Sequence, residues 1–190
     1  MEDFLGRRRS RLADSLIPAQ WRTGRVLDIG CGVHPQFLLH TQFAEKHALD
    51  KLTTPEYGER YREEKIALIH CDIEAMKRLP YDDDCFDVVT MLAVVEHLRL
   101  MTLIPIMMEV RRILKPGRKY ILTTPPPWTR RLLRVMARLG LVSPEEIREH
   151  KYAYSSFIMR AALQEAGFRD DKIRVGYFEL GMNMWASAIK

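Results

Sequence analysis

Cysteine is scarce in this sequence, with three residues among 190. Cys31, Cys71 and Cys85 form no Cys-x-x-Cys pair, and an odd number of cysteines cannot all be bridged within one chain. A fully bridged disulfide framework is therefore excluded. We expect three free thiols in a reducing compartment.

Long uninterrupted hydrophobic runs are also missing. The longest apolar stretch, 88–108, is broken by the charged sequence EHLR at 96–99, which makes it a poor membrane span and favours a strand followed by a helix. The N-terminus carries Glu2, Asp3 and three arginines at 7–9 where a secretory signal would need an apolar region. We therefore expect a cytoplasmic protein.

The sequence contains no internal repeat, low-complexity tract or Gly/Ser-rich linker that would mark a domain boundary. Its 190 residues, 47% of them hydrophobic, suffice for one domain with a sizeable core. We expect a single domain over 1–190 that begins with a helical segment at 1–24. The net charge of +5 permits an anionic partner without requiring one.

Short apolar runs alternate with amphipathic patterns along the chain. The apolar runs predict seven strands, at 25–29, 47–50, 66–71, 86–92, 119–124, 172–178 and 183–189. The amphipathic patterns predict four helices, at 36–46, 102–114, 129–140 and 155–166. Pro35 opens the first of these helices, the sequence Lys-Pro-Gly at 115–117 ends the second, and Gly167 ends the last.

This alternation predicts an α/β fold, with an open and mostly parallel sheet that has helices on both faces. The last two predicted strands are joined only by ELGM at 179–182, so they can pair only in an antiparallel way.

A glycine-containing turn follows the first predicted strand, in the sequence VLDIGCG at 26–32. Gly30 and Gly32 have no Cβ that would hold a ligand away from the backbone, and open α/β sheets bind ligands at this edge. A dinucleotide site needs a third glycine where this chain has Pro35, and it disfavours a carboxylate such as Asp28. The sulfonium and ammonium charges of S-adenosylmethionine suit that carboxylate.

Further motifs follow this turn in order. They are LDK at 49–51, CDIE at 71–74, FDVVTMLAVVEHL at 86–98, RRILKPGRKYILTTP at 111–125 and LQEAGF at 163–168. With these motifs the chain resembles the class I S-adenosylmethionine-dependent methyltransferases, in particular the group called methyltransferase type 11. The resemblance covers 26–167. It implies a Rossmann-like, doubly wound sheet of seven strands with an antiparallel C-terminal strand, and S-adenosylmethionine as the cofactor.

The resemblance implies cofactor contacts at the ends of the first four strands. Asp50 would accept hydrogen bonds from the ribose hydroxyls, and Asp72 from the adenine amino group, although an acid at a strand end can instead cap a helix. Leu52 and Ile73 would enclose the adenine ring, and the Leu92 carbonyl would face the methionine ammonium. The complete predicted set is Asp28, Gly30, Cys31, Gly32, Asp50, Lys51, Leu52, Asp72, Ile73 and Leu92.

The chain departs from the family pattern at His34, where the family often has a third glycine. With Pro35 next to it, the turn should be stiffer and bulkier, which keeps open the alternative of a binding subunit without catalysis. The retained acids at 28, 50 and 72 argue against that alternative. Cys31 lies in the same turn, but direct displacement from a sulfonium needs no covalent intermediate, so we interpret this thiol as a small filler.

Three residues are candidates for acid–base chemistry. Glu96 and His97 follow the fourth predicted strand, where the family frequently has this pair in the wall of its active site, and an imidazole suits proton acceptance near neutral pH. The alternative for both is that they order the turn. His150, in the sequence EHKYAYS at 149–155, is a second candidate base. The acids at 82–84 are interpreted as a solvated turn, and we predict no metal site.

The family places an acceptor-side lid after the fifth strand, which corresponds to 125–154 here. Within it, the segment from Thr129 to Gly140 combines arginines with apolar residues and predicts a basic amphipathic helix. Such a helix could pack on the domain, meet an anionic acceptor or touch a membrane surface.

The resemblance implies methyl transfer to a small-molecule acceptor. We expect the methylated atom to be a hydroxyl oxygen of a sugar or natural product. The acceptor molecule is expected to be anionic or lipid-linked. The sequence LAVVEHL at 92–98, in place of an Asn-Pro-Pro-Tyr motif, argues against the amines of DNA bases. A pI near 9.2 and the N-terminal arginines keep RNA or protein methylation as an alternative. The two arginine clusters lack interleaved aromatic residues, which argues against nucleic acid.

Overall fold

A computed structural model of the chain describes residues 2–51, 55–129 and 152–190. Its strands are β1 Arg25–Ile29, β2 Glu45–Asp50, β3 Ile66–His70, β4 Phe86–Leu92, β5 Leu114–Thr124, β6 Ile173–Phe178 and β7 Asn183–Ile189. Its helices are α1 Glu2–Ser15, α2 Gln36–His40, α3 Pro55–Glu63, α4 Leu100–Ile113 and α5 Ser156–Glu165. Short 3-10 turns occupy Ala19–Trp21, Val95–His97 and Asp170–Lys172.

The seven strands form one sheet in the order β3-β2-β1-β4-β5-β7-β6. Neighbouring strands from β3 to β5 pair in parallel, whereas β7 is antiparallel to both β5 and β6. The predicted doubly wound, mostly parallel sheet with its antiparallel C-terminal strand is confirmed. Because the strand order reverses between β1 and β4, their carboxyl ends lie side by side at the switch point of the sheet.

Two apolar clusters cover the two faces of the sheet. Alternate side chains of β1 point to opposite faces, so Val26 packs with Ala13 of α1 and Tyr61 of α3, whereas Leu27 packs with Leu103 of α4 and Leu163 of α5. Helices therefore lie on both faces, as predicted. Five of these six side chains are completely buried, and Tyr61 is 1% exposed.

The first predicted helix is shorter than the sequence pattern indicates, because α2 ends at His40 rather than at residue 46. Thr41, which is 2% exposed, donates its hydroxyl to Asp14 Oδ1 at 2.6 Å and accepts from Arg22 Nη1 at 3.1 Å. This anchor holds Thr41 in an extended conformation, and the chain then pairs Glu45 with Arg25 in the sheet. Tertiary contacts thus override the apolar pattern after residue 40.

The predicted stop after α4 is correct to within one residue, but the next strand starts earlier than the predicted residue 119. The helix ends at Ile113, and β5 begins directly at Leu114 and includes residues 115–117. Leu114 pairs with Phe86, and the Gly117 amide donates to the Lys190 carbonyl at 2.9 Å. Strand pairing on both sides therefore extends β5 toward the amino edge of the sheet.

The described residues from 155 onward follow the prediction closely. Ser155 caps α5, its hydroxyl accepting from the Ile158 amide at 3.3 Å, and Gly167 follows the helix with φ +91°. The turn after β6 places Glu179 and Leu180 in the left-handed region and allows β6 and β7 to pair.

The acids at 82–84 lie in an exposed turn before β4, as predicted, and two of them form ion pairs. Asp83 lies 2.7 Å from Arg112 and 3.2 Å from Arg78, and Asp84 lies 2.6 Å from Lys190. These contacts hold the loop before β4 against α4 and the C-terminus.

None of the helices in the described ranges is long and apolar enough to cross a membrane. The longest, α1 and α4, have 14 residues each.

Asp87 at the start of β4 is 4% exposed and holds the amino edge of the sheet together. It accepts hydrogen bonds from the Arg25 amide at 3.0 Å, Lys115 Nζ at 2.6 Å and Arg118 Nε at 2.8 Å. Burial alone would raise the pKa of Asp87, but these three donors hold that pKa below its usual value.

We expect Asp87→Asn to lower the free energy of unfolding by about 2 kcal/mol at neutral pH, because two cations lose their acceptor. Since the native pKa is depressed, the advantage of the wild-type protein is present above the unfolded pKa and is lost as the pH falls below about 4. Urea unfolding between pH 3 and 7 measures this, with the exposed Asp82→Asn as a matched control. The same acid dependence in both variants would contradict the assignment.

Candidate methyltransferase site

The turn after β1 and the turn after β4 meet at the switch point. Gly30 has φ +73°, and a Cβ added there would lie 2.4 Å from Val94 Cγ2. Gly32 has φ +65°, and a Cβ there would meet no protein atom within 4 Å. The two glycines therefore have different roles. Gly30 allows the turn after β1 to pack against Val94, whereas Gly32 leaves space beside the turn that no protein atom fills.

A cleft of about 380 Å³ opens between these two turns. Seven of the residues predicted from the sequence line it: Gly30, Gly32, Asp50, Lys51, Asp72, Ile73 and His97. Leu49, Cys71, Glu74, Ala93, Val94 and Leu98 complete its wall. Four different strand ends thus converge on one cleft, as the parallel topology requires.

Asp50 at the end of β2 connects two sides of the cleft. Its carboxylate accepts the Gly32 amide at 2.7 Å, and the residue is 7% exposed. The preceding Leu49 carbonyl accepts the Gly30 amide at 2.8 Å. The end of β2 therefore fixes the path of the glycine turn.

Tyr61 of α3 holds the same turn from below, and the sequence reasoning missed it. Its hydroxyl donates to the Gly32 carbonyl at 2.6 Å and lies 3.2 Å from Cys31 Sγ. Burial raises the pKa of Tyr61 far above its usual value, so the phenol remains a neutral donor. No local motif marks this tyrosine, because only the packing of α3 directs its side chain to the turn.

Cys31 belongs to the glycine turn, but it is not part of the cleft wall. Burial raises the pKa of its thiol, and the nearby Asp28 raises it further. A thiol that stays protonated is a poor nucleophile, which supports its interpretation as a filler.

Asp28 on β1 is 4% exposed and lies behind the cleft rather than in its wall. Thr90 Oγ1 donates to Asp28 Oδ1 at 2.6 Å. Burial raises the pKa of Asp28 to about 7; the hydrogen bond from Thr90 opposes this rise, and the negative charge of Asp50 adds to it. The protein thus keeps an acid behind the cleft that ionises readily only when positive charge is nearby.

The two adjacent acid–base candidates lie in different environments. Glu96 is completely buried, and burial raises the pKa of its carboxyl, against the lowering effects of His97, Arg9 and Thr124. His97 lines the cleft. The Glu96 carbonyl also accepts the Tyr152 amide at 3.0 Å, so the structural interpretation of Glu96 is favoured over a place in the active-site wall.

The end of β4 turns sharply at Ala93, a non-glycine residue with φ +58°. Its amide donates to the Thr123 carbonyl at 3.0 Å, which holds the turn against β5. Leu92 precedes this turn and is not in the cleft wall, so the role of its carbonyl stays a prediction.

The departure from the family pattern lies outside the cleft. His34 is exposed, Pro35 is buried, and neither belongs to the cleft wall. The bulk of His34 therefore does not occupy the cleft. Leu52, His150 and most of the predicted basic helix, 130–140, lie outside the described residues.

A family model described as a methyltransferase domain matches residues 27–122, about half of the chain. The chain belongs to this methyltransferase family. The match runs from within β1 to within β5, so it contains the glycine turn and the acids at the strand ends. The class I assignment and S-adenosylmethionine as the cofactor, both indicated by the motifs, are confirmed. No curated protein matches the sequence.

Solved structures share the fold of this methyltransferase. A SAM-dependent methyltransferase from Archaeoglobus fulgidus is 20% identical with a TM-score of 0.71, over 99% of this chain and 94% of that one. A candidate O-methyltransferase from Nostoc punctiforme is 16% identical with a TM-score of 0.69, over 100% of this chain and 57% of that one. Phospholethanolamine N-methyltransferase 2 from Haemonchus contortus is 14% identical with a TM-score of 0.68, over 96% and 52%. The chain thus spans little more than half the length of the last two proteins.

The residues of the cleft fit S-adenosylmethionine. Gly32 leaves room where a Cβ would stand, and Asp50 and Asp72 offer carboxylates to hydroxyl and amino donors. Asp28 adds negative charge behind the turn, which suits a cationic ligand. The individual contacts to the cofactor remain predictions.

We expect alanine to act differently at the two glycines. Gly30→Ala should lower the free energy of unfolding by about 3 kcal/mol, because the new Cβ overlaps Val94 and the residue keeps a positive φ. Gly32→Ala should cost only about 1 kcal/mol of backbone strain but weaken S-adenosylmethionine binding about tenfold or more. Urea unfolding and calorimetric titration measure the two effects. A Gly32→Ala variant with normal cofactor affinity would contradict the assignment.

The raised pKa of Asp28 predicts a distinctive pH dependence. Between about pH 4 and 7 the native carboxyl holds a proton that the unfolded chain has released, so wild-type stability falls as the pH rises through this range. Asp28→Asn removes this loss, and its stability relative to wild type should rise by up to about 4 kcal/mol from pH 4 to pH 7 and then stay level. Wild-type affinity for S-adenosylmethionine should increase from pH 6 to 8, and that of the variant should not. If the stability of the wild-type protein and that of Asp28→Asn changed with pH in the same way, the raised pKa of Asp28 would be refuted.

Proposed function

We propose that this methyltransferase transfers the methyl group to a hydroxyl oxygen of a small molecule of sugar or natural-product type. The observation that carries the proposal is the position of His97 in the wall of the cofactor cleft, while its neighbour Glu96 is buried in the core. A hydroxyl must lose a proton as it attacks, whereas a neutral amine attacks through its lone pair. An imidazole beside the cofactor therefore suits an oxygen acceptor.

In the proposed reaction, different residues of the chain bind the cofactor and accept the proton. When bound, S-adenosylmethionine supplies an electrophilic methyl group on a positively charged sulfur. Asp50 and Asp72 would hold the cofactor through its hydroxyl and amino groups, and His97 would accept the proton that the acceptor hydroxyl loses. Because in-line displacement depends on alignment, most of the acceleration should come from holding the acceptor in place.

We further propose that the acceptor carries an anionic group, such as a phosphate, or is lipid-linked. Lys51 lines the cleft, and the sequence at 130–138 contains four arginines in the segment where the family has its acceptor-side lid. The Haemonchus contortus protein, similar in fold, is in complex with phosphomonomethylethanolamine, a phosphate-bearing small molecule. Because that protein is an N-methyltransferase, this likeness supports the phosphate group of the proposed acceptor and not the atom that is methylated.

We expect His97→Gln to reduce kcat by about two orders of magnitude with a hydroxyl acceptor and to leave S-adenosylmethionine affinity nearly unchanged. Asp50→Ala should instead weaken cofactor binding, because the glycine turn and the cofactor both lose an acceptor. Calorimetric titration with S-adenosylmethionine and its demethylated product, followed by turnover on matched hydroxyl and amine acceptors, measures both effects.

Asp82→Asn, which lies on the opposite edge of the sheet, is the control for both measurements. A wild-type protein that methylates amines and not hydroxyls, or an His97→Gln variant with full turnover, would refute the oxygen acceptor. Unchanged turnover on a phosphorylated acceptor after replacement of Arg130, Arg131 and Arg134 by Gln would refute the role of the arginines.

A further inference from the structure

The turn between β6 and β7 exposes an apolar tip that the reaction does not use. Leu180 is 98% exposed and has φ +56°, a backbone conformation that is costly for leucine. Trp128 lies beside it and is 55% exposed, its ring 3.5 Å from the point where a Cβ on Gly181 would stand. Both side chains lie at the carboxyl edge of the sheet, the edge that contains the cofactor cleft.

Helix α1 adds a basic face to this tip. Phe4, Arg7, Arg8 and Arg11 are exposed and follow the spacing of one helix face. Arg8 lies over the Phe4 ring at 5.5 Å, and its Nε is 3.6 Å from Glu179 Oε1 in the turn before Leu180. The helix face and the tip therefore form one continuous surface, which we call the rim surface: Phe4, Arg7, Arg8, Arg11, Trp128 and Leu180.

We propose that the rim surface binds an anionic membrane. Leucine and aromatic side chains at its tip match the apolar part of a lipid interface, and the arginines of α1 match its negative headgroups. The acid within the surface, Glu179, is 4% exposed at its side chain and is already paired with Arg8 and Asn183. Helix α1 also begins with Glu2 and Asp3, so the attraction should be moderate and sensitive to salt.

This placement gives the membrane a role in the reaction. The rim surface and the cleft share one edge of the sheet, so a membrane against the tip would lie beside the cleft opening. An acceptor held in the bilayer could then reach the cofactor. This last step rests on the proposed function, whereas membrane binding itself does not.

The test measures co-sedimentation with vesicles of equal parts phosphatidylcholine and phosphatidylglycerol at low salt, and with vesicles of phosphatidylcholine alone. The wild-type chain should bind the anionic vesicles. Leu180→Asn should weaken that binding about tenfold, because asparagine accepts a positive φ but removes the apolar tip. Arg7→Gln and Arg11→Gln should each weaken it about fivefold.

Met108→Gln is the matched control, since Met108 is 53% exposed on α4, which packs on the other face of the sheet. S-adenosylmethionine binding, measured in the same samples without acceptor, shows that each variant is folded and separates this test from the proposed activity. The inference is overturned if the wild-type chain binds neither vesicle, if it binds both equally, or if Met108→Gln loses as much binding as Leu180→Asn. It is also overturned if sedimentation without lipid shows a dimer that Leu180→Asn dissociates.

Discussion

The close approach of Gly30 to Val94 is the constraint on which the site depends. A Cβ on residue 30 would overlap the Val94 side chain, so the turns after β1 and β4 can meet only because this residue is glycine. Their meeting closes one side of the cleft and leaves the Gly32 side open. The adjacency of β1 and β4 at the switch point is therefore what turns a glycine motif into a binding site.

The glycine turn is held by residues distant in sequence. Asp50 accepts the Gly32 amide and Tyr61 donates to the Gly32 carbonyl, so both polar groups of one residue are fixed by the end of β2 and by α3. Such preorganisation lowers the entropy that a ligand must lose on binding.

Burial divides the charged residues of this region into two groups. Asp28 and Glu96 lie behind the cleft with raised pKa values, because burial disfavours their ionised forms. Asp50, Asp72 and His97 lie in the cleft wall, where ligand atoms can reach them. The exposed arginines of α1 and the apolar tip at Leu180 belong to neither group, and they form a separate outward surface on the same edge of the sheet.

The sequence by itself determined the fold class, the seven strands and the family, because apolar runs of strand length and ordered motifs are local signals. It also placed the acids at the strand ends, since parallel strands bring their carboxyl ends to one edge. The sequence did not determine where α2 stops and where β5 starts. The pairing of Glu45 with Arg25 and of Leu114 with Phe86 decided these two positions. Only the tertiary structure decided which side chains reach the cleft. Glu96 and His97 are adjacent in sequence, yet one is buried and the other lines the cleft, and Tyr61 reaches the turn only through the packing of α3, because side-chain direction depends on contacts between distant segments.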